Sequence, residues 1–170
     1  MHIQEGLREI EHDVLVRNAY VRSTTSHDED ELRTLSTHKN PVVRTRAVSN
    51  CHSVFSYQEI LQLAKDTEEN VRCAVLTKKG VTVGILDVVW NAEKKTSLTD
   101  VAIARHPCTP THYMRELFTK HSAHLNMCLC WNASTPPDII RAICEWARVH
   151  NDSIVTDIAK HRIKKENGTP

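Results

Sequence analysis

One short phrase, written four times at nearly constant spacing, constrains this chain more than any other feature. The segments AVSN (47–50), AVLTK (74–78), AIARH (102–106) and CLCWN (128–132) align so that Asn50, Lys78, His106 and Asn132 share one column, in steps of 28, 28 and 26 residues. A period of that length marks stacked supersecondary units, because a unit so small cannot bury its apolar face alone. Each segment closes a candidate first helix, termed A. Asn40-Pro41 supplies a cap and a first-turn proline for one of them. Thr67 or Asn70, Ser97 or Thr99, and Ser122 supply candidate caps for the next three.

A second helix start, termed B, follows. Ser56 with Glu59, and Ser26 with Glu29, have the spacing of a capping box. Thr109-Pro110 and Thr135-Pro136 place a capping hydroxyl before a proline, which has no N–H to lose. Apolar residues then recur at helical spacing, as in Ile139, Ile140, Ile143, Cys144 and Ala147. With only four glycines and 5% aromatic residues, the chain lacks the material of a sandwich or barrel. The reading is therefore all-α: an α-α superhelix (solenoid) of about five to six two-helix repeats of 26–28 residues. One repeat domain is expected over 1–161, its first and last repeats degenerate caps, followed by a basic flexible tail at 162–170. Cys128 and Cys130 occupy columns held elsewhere by alanine, which predicts buried thiols acting as small apolar groups.

Val43-Arg44 followed by Ala47-Val48-Ser49-Asn50 resembles the core of HEAT-like and leucine-rich repeat variant repeats. Asp66 with Val71-Arg72 is similar to the aspartate-to-arginine spacing of HEAT repeats, and ARHPCTP (104–110) and WNASTP (131–136) resemble the variant-class turn. The resemblance covers roughly residues 14–161. It implies a structural ladder in which Arg44 and Arg72 bond to aspartates such as Asp66 between repeats. It implies no single function, since such repeats serve many. The chain departs from the pattern at Asp100 and Asn126, which stand where the repeat arginine belongs, and at His38, which replaces the aspartate. Gly84 sits where a helix former is expected.

Net charge is +1, so no overall basic field draws in nucleic acid or an acidic membrane. Residues 1–31 nevertheless carry eight acids (Glu5, Glu9, Glu11, Asp13, Asp28, Glu29, Asp30, Glu31) against Arg8, Arg17 and Arg22, an acidic cap opposite the basic tail. The opening residues show no secretory pattern, and the longest nearly apolar run (81–90) is about half a membrane span and contains Asp87. A soluble, cytoplasmic chain with reduced cysteines is expected.

His106, Cys108, His112, His121, His124, Cys128 and Cys130 lie close in sequence, yet Cys128 and Cys130 point to different helix faces and no Cys-x-x-Cys is present. No metal and no cofactor is expected. Neither a nucleophile elbow, a phosphate loop nor a His-Glu-x-x-His pattern occurs. Trp90, Phe118 and Trp146 share one phase of three B helices and read as core or as an exposed stripe. The B-helix segments together carry no net charge, which suits a protein partner better than a phosphate backbone. Candidate partner-binding residues are His112, Arg115, Glu116, Arg141, Glu145, Arg148 and Trp131. The leading expectation is a non-catalytic interaction module or adaptor. The alternatives are a nucleic-acid-binding protein with a DNA-glycosylase-like stack, which the charge disfavours, or a small phage or mobile-element inhibitor. A monomer or a weak head-to-tail oligomer is expected, with no membrane association.

Overall fold

The computed structural model describes the backbone of residues 2–166 and the side chains of residues 14–165. Among these residues there are eleven α-helices and no strand. None of the helices is long and apolar enough to cross a membrane. The residue contacts gather into two compact units, the first ending at Val81 and the second beginning at Thr82.

The first unit contains α1 (His2–Thr25), α2 (Glu29–Leu35), α3 (Pro41–Ser49), α4 (Tyr57–Leu63) and α5 (Glu69–Val75). The A helices touch in succession, α1 against α3 and α3 against α5, with α2 and α4 laid beside α3 and α5. Ala19, Leu32, Leu35, Val43 and Ala47 form a buried cluster there. The second unit contains α6 (Val83–Trp90), α7 (Ser97–Arg105), α8 (Thr111–Thr119), α9 (Ala123–Trp131), α10 (Pro137–Val149) and α11 (Ser153–Glu166). Here α7 touches α9, α9 touches α11, and the B helix α8 touches α10. Leu86, Ile103, Met114, Leu129, Ile140 and Ile143 are fully buried between them. Each contributes about 1.5–3 kcal/mol of hydrophobic stabilisation.

Several helix starts follow the sequence. Asn40 accepts the Val42 N–H with Pro41 in the first turn, and Ser122 accepts the Leu125 N–H. Ser56 and Glu59 form the full capping box. Others shift. The cap of α2 is Asp28, whose carboxylate takes two N–H groups, instead of Ser26. Thr96 caps α7, and Glu68 begins α5 without a side-chain cap bond.

The Thr-Pro corner works differently from the expectation. Pro110 and Pro136 themselves hold the cap positions of α8 and α10. The threonine turns back: Thr109 Oγ1 donates to the Ile103 carbonyl and Thr135 Oγ1 to the Leu129 carbonyl at 2.7 Å. Each hydroxyl thereby adds a second bond to a carbonyl in the last turn of the preceding A helix, which also accepts the C-cap N–H. In the first unit the single Ser53 hydroxyl proton is shared between the Val48 and Asn50 carbonyls.

Helix α11 runs on through Arg162 to Glu166, and, of the expected tail, residues 167–170 lie outside the described backbone. Of the acidic cap, the side chains of Glu5, Glu9, Glu11 and Asp13 lie outside the described residues. Glu31 pairs with Arg22 at 3.1 Å and Asp30 with Arg33 at 2.6 Å.

Candidate functional site

Within each unit, residues of the repeat column bond back to the end of the preceding A helix. Asn132 donates to the carbonyls of Ala104 and His106 at 2.8 and 2.9 Å, and accepts the Ser134 N–H at 2.9 Å. Asn50 donates to the carbonyls of Ser23 and Ser26 and accepts the His52 N–H. Lys78 Nζ reaches the Asn50 carbonyl at 2.7 Å and Ser53 Oγ at 2.6 Å. Burial pushes the Lys78 ammonium below its usual range. His106 is buried, its pKa lowered by burial, and its Nδ1 accepts the Cys108 N–H. These four side chains are spent on architecture.

The charged ladder is equally internal. Arg44 grips Asp66 with two parallel bonds of 2.8 Å and also donates to the carbonyls of His38 and Lys39. Arg72 donates to the backbone carbonyls of Asp66 and Thr67. The carboxylate of Asp66 thus takes its bidentate partner from the preceding A helix, where the sequence spacing had pointed to Arg72. Burial alone would raise the Asp66 carboxyl; the Arg44 bonds, the Glu68 N–H and the nearby cations outweigh it and hold the group below its ordinary value.

In the second unit Trp90 is buried and stacks on Tyr113 with centroids 4.4 Å apart. The Tyr113 hydroxyl donates to Asp87 at 2.8 Å, and burial together with that bond pushes it up to about 12. Lys95 lies 4.3 Å from the Trp90 ring and donates to its carbonyl. Phe118 and Trp146 are half-buried, and Trp146 stacks on His150. The aromatic phase is therefore core at Trp90 and partly open at the other two.

Among the described residues no three His, Cys, Asp or Glu side chains gather in a way that holds a metal ion. Cys128 and Cys130 are buried, and burial raises both thiols, Cys130 to about 12. Neither is a thiolate at neutral pH. His121 occupies the left-handed region at φ 50°, in the turn that closes α8.

Two exposed arrangements remain in the second unit. Six of the predicted partner residues come together on the adjoining helices α8 and α10. His112, Arg115 and Glu116 are exposed on α8, and Arg141, Glu145 and Arg148 on α10. Arg115 bridges the two helices to Asp138 at 2.7 Å, and Arg148 pairs with Glu145 at 3.1 Å. The seventh, Trp131, lines a different feature. It is 61% exposed at the end of α9 and borders a groove of about 460 Å³ shared with α11. Cys130 and Ile158 supply apolar lining, and Asp157, His161, Arg162 and Lys165 supply the polar part. These α11 residues were missed because 153–161 reads as the A helix of a degenerate last repeat and 162–170 as a basic tail. Their spacing is the signal that was available: positions 157, 158, 161, 162 and 165 share one helix face. This chain matches no protein-family model, no curated protein and no solved structure.

Proposed function

We propose that this chain is a HEAT-like or leucine-rich-repeat-variant solenoid that acts as a non-catalytic protein-binding module through the exposed face of α8 and α10. The observation that carries this reading is the distribution of polar groups in the second unit. Buried ones such as Asn132 and Asp100 are bonded across to a neighbouring segment, whereas His112, Arg115, Glu116, Arg141, Glu145 and Arg148 are exposed on two helices that touch. Both signs of charge alternate across that face, which favours a partner with a complementary pattern over a uniformly charged polymer. The succession of contacts from α1 to α3 to α5, and from α7 to α9 to α11, supports the solenoid reading.

Affinity capture of the whole chain from its native cell extract, with a nuclease-treated control, identifies the partner. Reversing Arg115 and Arg141 together to Glu is expected to weaken that complex by roughly tenfold or more. A complex that survives the double reversal, or that vanishes on nuclease treatment, overturns the assignment.

A further inference from the structure

We infer that the groove between α9 and α11 is a second docking surface, and that it takes an acidic peptide segment of a partner protein carrying one large apolar side chain. It shares no residue with the α8–α10 face and does not rest on that reading.

The argument starts from Trp131. It is the most exposed aromatic residue among the described side chains, and it stands beside a concave surface. An indole left in water next to a cavity is the residue type that anchors interfaces most often. The apolar lining is given by Cys130, itself buried with its thiol uncharged, and by Ile158. At about 460 Å³ the groove has room for one or two side chains.

The rim sets the sign of the ligand. Arg162 and Lys165 bring positive charge to the lining, and Asp157 is the one carboxylate among the described lining residues. The guanidinium of Arg162 donates to the Ala133 carbonyl at 2.7 Å. Its position is therefore fixed before any ligand arrives, which lowers the entropy lost on binding. Asp157 argues for a peptide over a polynucleotide. A carboxylate inside the groove repels a phosphate track, yet accepts a backbone or side-chain N–H of a peptide. A single exposed indole also falls short of the row of stacking platforms that single strands use.

The test displays random twelve-residue peptides to the immobilised full-length protein, after depletion on the Trp131→Ala variant. The expected pool is rich in Asp and Glu with one Leu, Ile, Phe or Trp at a recurrent position. A resynthesised member should bind by fluorescence anisotropy. Trp131→Ala and Lys165→Glu should each weaken it roughly tenfold, while reversal of Arg115 and Arg141 leaves it unchanged. Circular dichroism melts of each variant separate lost binding from lost folding, and Trp131→Gln serves as a second indole deletion if the alanine variant melts early. A neutral or basic pool, no enrichment, or binding indifferent to Trp131 overturns the proposal. So does equal competition by a single-stranded oligonucleotide. Concentration-dependent self-association abolished by Trp131→Ala also overturns it, since the occupant would then be a second copy.

Discussion

At the same place in the repeat, the first unit joins Arg44 to Asp66, and the second joins Asp100 to Lys120 with the signs exchanged. The two pairs are spaced 22 and 20 residues apart, a difference equal to that between the 28- and 26-residue steps of the repeat. Asp100 is thus a repeat arginine replaced by its opposite, with the partner reversed to match. What recurs is an ion pair between neighbouring modules, and either sign serves. The two rungs differ in burial. Arg44 and Asp66 are 14% and 11% exposed, whereas Lys120 is 36% exposed beside Asp100 at 10%. Removing one partner of a buried pair leaves the other charge stranded, which costs more than the pair itself is worth.

The largest expected effect is therefore at Arg44. Arg44→Ala should destabilise the first unit by about 3 kcal/mol in urea unfolding. It should also change the acid limb. The folded Asp66 carboxyl lies below its ordinary value of 3.8, so its contribution is complete above that value and is lost as pH falls through the folded pKa. In Arg44→Ala that acid step should shrink, because the principal bond holding the carboxylate ionised is gone. An unchanged step would mean that the Glu68 N–H and Arg72 suffice.

The neutral column ranks next. Asn132→Ala removes two donated bonds and one accepted bond from a buried site, and should cost about 2 kcal/mol. Lys120→Ala should cost roughly 1 kcal/mol, discounted because the ammonium is partly in solvent. Replacing both members, as Asp100→Asn with Lys120→Met, should recover most of that loss, since no buried charge is left alone. Failure to recover would show that Lys120 contributes mainly through the Trp90 ring, 5.6 Å from its Nζ.

The two-helix unit was legible because its signals are local: Asn40-Pro41, the Ser56–Glu59 box and the apolar spacing of α10 depend on residues within one or two turns. The role of the Thr-Pro corner was not, because a threonine hydroxyl can cap forward or turn back, and only the path of the preceding helix decides between them. The exchanged rung was hidden for the same kind of reason. Matching by residue identity treats Asp100 as a loss, while the energetics respond to the pair. On the surface, spacing placed His112, Arg115, Glu116, Arg141, Glu145 and Arg148 on two helices, but it could not show that Trp131 faces α11 instead.

His106 offers a smaller and conditional effect. Burial lowers its pKa below 6.5, so the folded protein resists the proton that the unfolded chain accepts. Its contribution to stability is then complete above 6.5 and is lost as pH falls below that value toward the lowered folded one. Asn50 and Asn132 occupy the same column and accept the N–H two residues on, just as His106 Nδ1 accepts that of Cys108. His106→Asn should keep that bond and lose the pH step. Urea midpoints at pH 7.5 and 5.5 should converge in the variant relative to the parent; equal separation in both would place the titration elsewhere.

The smallest effect has the opposite sign. Asn126 lies six residues before Asn132 in α9, is wholly buried, and neither its amide nitrogen nor its oxygen finds a partner among the described residues. It stands in the arginine column that holds Arg44, Arg72 and Asp100. The residue 20 positions on, where Asp100 has Lys120, is Trp146, whose indole nitrogen is likewise buried without a bond. An unsatisfied buried amide costs about 1–3 kcal/mol, so a Leu of similar volume removes a penalty and no bond. Asn126→Leu should leave stability unchanged or raise it by about 1 kcal/mol. A clear loss would show that an ordered water completes this rung, bridging Asn126 to the Trp146 N–H, and the third form of the inter-repeat link would be a hydrated one.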